Sequence, residues 1–257
     1  MHIKDVNKKK HPIRNGIGKG LLLLLILLIG FSFYYVNDYY HASADAQALL
    51  VDTPQLSVIE TEDDEIFFVP EDVDTDIGFI FYPGAKVEYT AYAPLLEACA
   101  KRGILCVISK MPGNMAILDV EAAASLKDRF PQIKHWYIGG HSMGGAAAGM
   151  YVGKHPGDFE GIILLAAYST YDFTNEDVYP DFKALSIYGS EDLVLTMENY
   201  EKYKTNLPAD FTEYVIEGGC HAFFGDYGAQ KGDGTPTITR EEQLAQTVEQ
   251  IVRFFQE

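Results

Sequence analysis

The sequence predicts an α/β fold with a mostly parallel central sheet, helices on both faces of that sheet, and one transmembrane helix before it. Short apolar segments alternate with segments of helical spacing along most of the 257-residue chain. Strands that alternate with helices form parallel sheets, because each helix returns the chain to the same end of the sheet. An uncharged apolar run near the start of the chain predicts the transmembrane helix.

The apolar run divides the chain into four predicted parts. Residues 20–36 carry no charge, which is near the lower length limit for a membrane span and longer than a usual signal-peptide core. We expect a basic cytoplasmic segment at 1–19, a transmembrane helix or signal anchor at 20–36, a juxtamembrane connector at 37–52 and the α/β body at 53–257, outside the cell membrane. In the alternative interpretation, a signal peptidase cleaves near Ala44 and the body is secreted.

Charge and cysteine content exclude several functions. The net charge is −17, yet residues 1–20 hold six basic residues against one aspartate, so the rest of the chain is even more acidic. An acidic body repels phosphate backbones, which excludes nucleic acid as a partner. The three cysteines, Cys99, Cys106 and Cys220, form no CxxC pair and predict neither a zinc site nor a disulfide framework.

The elements of the body follow from apolar patterning. Leu56–Glu60 and Glu65–Val69 flank an acidic turn and predict a hairpin. Six further apolar runs predict buried strands: Ile77–Tyr82, Ile104–Ser109, Trp136–Gly139, Gly161–Ala167, Ala184–Tyr188 and Thr212–Ile216. Helical spacing predicts four helices: Tyr89–Lys101, Val120–Phe130, Met143–Lys154 and Arg240–Phe255. In such a sheet the reactive groups gather at the carboxyl ends of the strands.

The sharpest motif is Gly140-His141-Ser142-Met143-Gly144, which fits the pattern G-x-S-x-G. It lies between an apolar strand and a helix rich in Gly and Ala, as a nucleophile elbow requires. The sharp turn strains the backbone at the serine, and the flanking glycines keep side chains away where strand and helix crowd together. Ser142 is therefore the predicted nucleophile, at the positive end of the following helix.

A serine nucleophile needs a base, and elimination leaves one histidine. Six of the seven histidines precede the body, lie far from the elbow or point away from the serine: His2, His11, His41, His135, His141 and His155. His221 follows the last predicted strand between glycines and is the predicted base. Asp192 follows the preceding strand and is the predicted acid that orients it, with Glu191 as the alternative. The chain order nucleophile, acid, base is the one expected of enzymes with this elbow.

The negatively charged oxygen of the tetrahedral intermediate needs two backbone N–H donors. One should be the N–H of Met143, directly after the nucleophile. The other should come from the loop that follows the strand Ile77–Tyr82. Ala85 is the predicted donor there, with Lys86 second, because Pro83 has no N–H.

Several segments together resemble a known family, the bacterial α/β-hydrolase fold-5 group, which is related in fold to dienelactone hydrolases. The resemblance spans residues 40–257 and rests on YPGAKVEYTAYAPLL (82–96), KMPGNMAILD (110–119), GGHSMGG (139–145), YGSEDLV (188–194) and GGCHAFFGDYG (218–228). It implies the α/β-hydrolase fold and the triad roles for Ser142, Asp192 and His221. The sequence departs from the group at Cys220, where we would expect an asparagine.

The predicted activity is that of a serine hydrolase that cleaves a carboxylic ester of a small molecule through an acyl-serine intermediate. No metal or organic cofactor is implied. Cleavage of a thioester or a peptide on the same triad is one alternative, because the sequence does not distinguish these acyl bonds. A catalytically idle protein of the cell envelope, which uses the fold only for binding, is the other.

Overall fold

The computed structural model describes residues 12–62, 64–71 and 73–256. Residues 1–11, most of the predicted cytoplasmic segment, therefore lie outside the described part of the chain. The chain forms two compact units that divide between Asp38 and Tyr39. The second unit thus includes most of the segment that the sequence predicts as a juxtamembrane connector.

Among the described residues, the first unit contains helix α1, Pro12–Asn37. Its segment Gly18–Asn37 is long and apolar enough to cross a membrane, and none of its residues is buried. A run of leucines favours the helix, because leucine loses little side-chain freedom in a helix. The predicted span 20–36 falls within this helix.

The second unit is built on a sheet of eight strands among the described residues. These are β1 Leu56–Glu60, β2 Glu65–Pro70, β3 Ile77–Tyr82, β4 Leu105–Ser109, β5 His135–His141, β6 Gly161–Leu165, β7 Lys183–Gly189 and β8 Phe211–Ile216. The strand order is β1-β2-β4-β3-β5-β6-β7-β8. Only the pairs β1–β2 and β2–β4 are antiparallel within this sheet. The other pairs are parallel, which brings their carboxyl ends to one edge.

Helices cover both faces of the sheet, as predicted. They are α2 Ala44–Ala48, α3 Ala93–Ala100, α4 Met143–Lys154, α5 Met197–Lys204 and α6 Arg240–Gln256. Side chains of β3 alternate between two hydrophobic clusters, because successive residues of a strand point to opposite faces. Phe79 and Phe81 pack in the cluster that contains residues of α3 and α6. Ile80 and Tyr82 pack in the cluster that contains residues of α4.

The prediction of a helix at Val120–Phe130 is wrong. The segment forms short 3₁₀ turns instead, the first at Val120–Ala123. The Tyr82 hydroxyl donates to the carbonyl of Val120 and accepts the N–H of Ala123, each at 2.8 Å. In an α-helix the Val120 carbonyl would accept the N–H of Ala124, but it accepts the Tyr82 hydroxyl, and the Ala124 N–H donates to the Glu121 carbonyl at 2.9 Å in a 3₁₀ turn.

Helix α5 is absent from the predicted elements. It reads MENYEKYK, and Tyr200 is its only buried residue. A helix with so short an apolar stripe gives little periodic signal in the sequence.

Candidate active site

Ser142 lies in the turn between β5 and α4 and has φ 52° and ψ −121°. A positive φ is costly for a residue other than glycine and persists only where the surroundings enforce it. The Ser142 N–H donates to the carbonyl of Leu165 at the end of β6, at 2.9 Å. Strands β5 and β6 thus hold Ser142 in a strained turn at the carboxyl edge of the sheet. Ser142 is partly exposed to solvent.

The glycines around Ser142 allow strand, helix and loop to approach closely. A Cβ atom on Gly140 would lie 2.5 Å from the carbonyl oxygen of Tyr82. A Cβ on Gly144 would overlap the same oxygen even more severely. Both distances are far below van der Waals contact, so no side chain fits at either position without movement of the backbone.

Asp192 and His221 form a buried pair at the same edge of the sheet. His221 Nδ1 lies 2.8 Å from Asp192 Oδ2. The other carboxylate oxygen, Oδ1, accepts the N–H groups of Val194 and Leu195, both at 2.8 Å. Asp192 is 6% exposed and His221 is 1% exposed. The carboxylate is therefore fixed by its own loop and faces the Nδ1 side of the imidazole.

The other ring nitrogen, His221 Nε2, is buried and has no hydrogen-bond partner among the described residues. The structure thus brings His221 together with Asp192 but shows no hydrogen bond from Ser142 to His221. Such bonds are often long in enzymes without a bound substrate and shorten when the substrate arrives. Glu191, the alternative acid, receives a bond from the hydroxyl of Ser190 at 3.3 Å instead.

Two side chains that the sequence analysis missed hold the backbone around His221. Asp233 accepts the N–H of His221 at 3.2 Å and that of Ala222 at 2.8 Å. Gln243 on α6 accepts the N–H of Cys220 at 3.0 Å and donates to the Cys220 carbonyl at 2.9 Å. Burial raises the pKa of Cys220 to about 12, so the thiol is neutral and adds no charge beside His221.

His141, the last residue of β5 and part of the elbow, packs against the predicted base. Its ring centroid is 4.4 Å from that of His221. The Tyr92 hydroxyl lies 2.9 Å from His141 Nδ1 and accepts the N–H of Gly84 at 3.0 Å. Burial, and then the neighbouring His221, lower the pKa of His141 well below its usual value, so its ring is neutral. The chain Gly84–Tyr92–His141 thus joins the loop after β3 to the elbow.

The candidate oxyanion donors differ in whether their backbone N–H groups already have an acceptor. The Met143 N–H opens α4, where the first N–H groups have no acceptor within the helix. The Lys86 N–H, the second choice in its loop, is already engaged with the Asn114 carbonyl at 2.8 Å. The Ala85 N–H donates to no described residue, and Ala85 is partly exposed. Ala85 therefore fits the role better than Lys86.

No group of three or more His, Cys, Asp or Glu side chains within the described ranges could hold a metal ion. The three cysteines are free and buried.

The order of the strands, the elbow after β5 and the buried acid–histidine pair at the strand ends define an α/β-hydrolase fold. The chain belongs to the alpha/beta hydrolase family, whose model matches residues 78–245. This match confirms the resemblance drawn from the sequence and supports a hydrolase. No protein of curated function matches the chain at a significant level of sequence similarity.

Several solved structures share the fold at low sequence identity. Est1E from Butyrivibrio proteoclasticus has a TM-score of 0.56 and 12% identity, over 78% of this chain and 97% of its own. A monoacylglycerol lipase from Paleococcus ferrophilus has a TM-score of 0.56 and 13% identity, over 77% and 99% of the two chains. A dienelactone hydrolase from Anabaena variabilis has a TM-score of 0.55 and 13% identity, over 79% and 98%. Likeness at this level of identity establishes the fold alone.

Proposed function

We propose that the protein is a serine hydrolase that cleaves carboxylic esters of small molecules through an acyl-serine intermediate. Ser142 is the nucleophile, His221 the general base and Asp192 the acid that orients it. The N–H groups of Met143 and Ala85 bind the oxyanion. The observation that carries the proposal is the buried 2.8 Å contact between Asp192 Oδ2 and His221 Nδ1, at the sheet edge where Ser142 occupies its strained turn.

The proposed reaction has two steps. Ser142 Oγ attacks the ester carbonyl carbon while His221 Nε2 takes the hydroxyl proton, and the C–O bond to the alcohol then breaks as His221 protonates the leaving oxygen. Water repeats the sequence on the acyl-serine and releases the acid. Asp192 fixes the imidazole with a proton on Nδ1, which leaves Nε2 free to accept. Its two backbone bonds keep the carboxylate aimed at Nδ1 throughout.

The choice of an ester rests on similarity to other proteins. The solved structures with this fold include esterases and lipases, and Est1E has a structure with bound ferulic acid. The chemistry of the triad serves thioesters and peptides equally well, so the experiment must include them.

A fluorophosphonate probe tests the nucleophile directly, because it phosphonylates only an activated serine. The full-length wild-type protein in detergent should label, and Ser142→Ala should not. Equal labelling of the two proteins would show that Ser142 is not the nucleophile, and absence of labelling in folded wild type would favour an idle binding protein. A panel of p-nitrophenyl acyl esters, acyl thioesters and peptide p-nitroanilides then identifies the bond. We expect the short acyl esters to give the highest kcat/KM.

We also propose that α1 crosses the cell membrane once, with the catalytic unit outside. The apolar stretch Gly18–Asn37 and the basic residues before it support this orientation. In intact cells, a membrane-impermeant amine reagent should modify exposed lysines of the catalytic unit, such as Lys134. Modification only after permeabilisation would place this unit in the cytoplasm.

A further inference from the structure

The segment Tyr39–Ala48, here named the strap, pairs with the loop that carries the proposed oxyanion donor Ala85. The Tyr40 N–H donates to the Lys86 carbonyl at 2.7 Å, and the Glu88 N–H donates to the Tyr40 carbonyl at 2.9 Å. These bonds form a parallel β-bridge beside the loop. The strap therefore fixes the backbone immediately after Ala85.

The strap also binds the segment that follows His221. The Tyr40 hydroxyl accepts the N–H of Lys231 at 3.0 Å. The Tyr40 ring packs against the Tyr227 ring, with 5.5 Å between their centroids. The Ser43 N–H donates to the Asp226 carbonyl at 2.8 Å. One residue, Tyr40, thus contacts both loops that flank the proposed chemistry.

The strap is itself held in place on the catalytic unit. The Glu88 carboxylate accepts the N–H of Ala42 at 2.9 Å. The Ser43 hydroxyl caps α2 by accepting the N–H of Ala46 at 3.0 Å, and Ala46 is fully buried. Asp226, which the strap contacts, is buried and forms an ion pair with Arg240 of α6. The strap is therefore a packed part of the fold.

From these contacts we propose that the strap is a structural component of the active site and that Tyr40 is a positioning residue. It sets the Ala85 loop and the segment after His221 relative to one another, so the oxyanion donors and the base keep productive geometry. This inference rests on the proposed serine-hydrolase function. It has a consequence for processing, because cleavage near Ala44 would remove Tyr40 and the bonds it makes. The active protein should therefore retain the strap.

The test compares full-length variants in detergent, each assayed with p-nitrophenyl acetate below its unfolding temperature. Tyr40→Ala removes the ring and hydroxyl contacts, and Tyr40→Phe removes only the bond to the Lys231 N–H. Tyr34→Ala is the matched control, because Tyr34 lies on α1 outside the strap and is 66% exposed. We expect Tyr40→Ala to lower kcat about 10- to 100-fold with KM nearly unchanged, since small misplacements of reacting groups cost rates of this order. Tyr40→Phe should lower kcat by a few-fold, and Tyr34→Ala should match wild type.

The rate of fluorophosphonate labelling gives a second readout, because it also depends on the oxyanion donors. It should fall in parallel with kcat in both Tyr40 variants. A folded Tyr40→Ala protein with wild-type kcat and labelling rate would overturn the proposal, and if this variant does not fold, Tyr40→Phe decides in the same way. A fully active mature protein that begins after Ala44 by mass spectrometry would also overturn it. Failure of the proposed function looks different, because wild type and Ser142→Ala would then label alike.

Discussion

The two halves of the candidate site are built in different ways. Ser142 is held by the backbone of consecutive elements, since β5, the turn and α4 follow one another within twenty residues of chain. His221 belongs to a segment that opens only a short 3₁₀ turn, Ala222–Phe224. Its backbone is fixed by the side chains of Asp233 and Gln243, which lie twelve and twenty-two residues further along the chain. The proposed nucleophile is thus positioned by backbone contacts, including the bond from the Ser142 N–H to Leu165 of β6, and the proposed base by side-chain bonds to the backbone around it.

The two halves should therefore be sensitive to different kinds of substitution. The half that contains Ser142 should be disrupted when a side chain is added at a glycine, because its strand, helix and loop are in close contact at Gly140 and Gly144. The base half should fail when a polar side chain is altered, because its parts are joined by a few hydrogen bonds to carboxylate and amide groups. Four substitutions that differ in the size of their expected effect test this contrast.

Asp192→Asn should give the largest loss, about 10⁴-fold in kcat, the size seen when the orienting acid of such triads is amidated. An amide group turned towards Nδ1 favours the tautomer that is protonated on Nε2, which cannot accept the serine proton. The matched control is Glu191→Gln, which changes the neighbouring carboxylate without touching the imidazole bond. Steady-state kinetics on an ester that wild type cleaves measures both variants. A larger loss in the Glu191 variant would reverse the choice of acid.

Gly144→Ala should disrupt the nucleophile half through packing alone. The added methyl group would overlap the Tyr82 carbonyl oxygen, so strand β3 and helix α4 must separate. We expect a loss of at least about 3 kcal/mol in the free energy of unfolding, at the upper end for overpacked cores, because backbone atoms must move. Denaturant unfolding in detergent measures this loss. Gly30→Ala adds the same methyl group where no atom lies within 4 Å and should leave the catalytic unit unaffected.

Asp233→Asn should weaken the base half more modestly. An amide retains one acceptor oxygen, so one of the two N–H groups at His221 and Ala222 loses its partner. The lost charge-assisted bond corresponds to about 1.5–3 kcal/mol, and we expect kcat to fall about tenfold or more. Asp172→Asn is the control, because Asp172 makes the same kind of bond to Thr174 in an exposed loop. Similar losses in both variants would mean that Asp233 has no special role at the site.

The same contrast explains how much the sequence could predict. The eight strands were predictable because each is an apolar or alternating run, and their bounds differ from the predicted ones by at most two residues. The turn at Ser142 was predictable because glycines, serine and the flanking strand and helix are neighbours in the chain. The Asp192–His221 contact was predictable only as an expectation from strand order, since it joins residues 29 positions apart.

Other features left no local signal. Nothing in the spacing of Asp233 or Gln243 distinguishes them from surface polar residues, because their partners are backbone groups of a distant loop. The wrong helix at Val120–Phe130 has the same origin, since the competing partner is the hydroxyl of Tyr82, far earlier in the chain. Periodic patterns in a sequence predict which residues are buried. They do not predict which side chain forms a hydrogen bond with a backbone group that is distant in the chain.

His141 lies where the two halves meet, and its protonation should give the smallest effect. Its pKa in the folded protein lies well below the usual value of about 6.5 that it has in the unfolded chain. Below pH 6.5 the unfolded chain therefore binds one more proton at this residue than the folded protein does. The free energy of unfolding should then fall as the pH drops below about 6.5, by at most about 1.4 kcal/mol for each pH unit.

His141→Gln should remove this slope between about pH 6.5 and 5, while an amide oxygen can still accept from the Tyr92 hydroxyl. Carboxylates whose pKa is lowered, such as Glu121 and Asp158, lose their stabilising contribution only at more acidic pH, so they do not enter this window. Tyr92→Phe keeps the buried histidine and should retain the slope. Denaturant unfolding at a series of pH values measures all three proteins. An unchanged slope in His141→Gln would mean that the buried ring between the two halves does not resist protonation, and that acid destabilises the fold elsewhere.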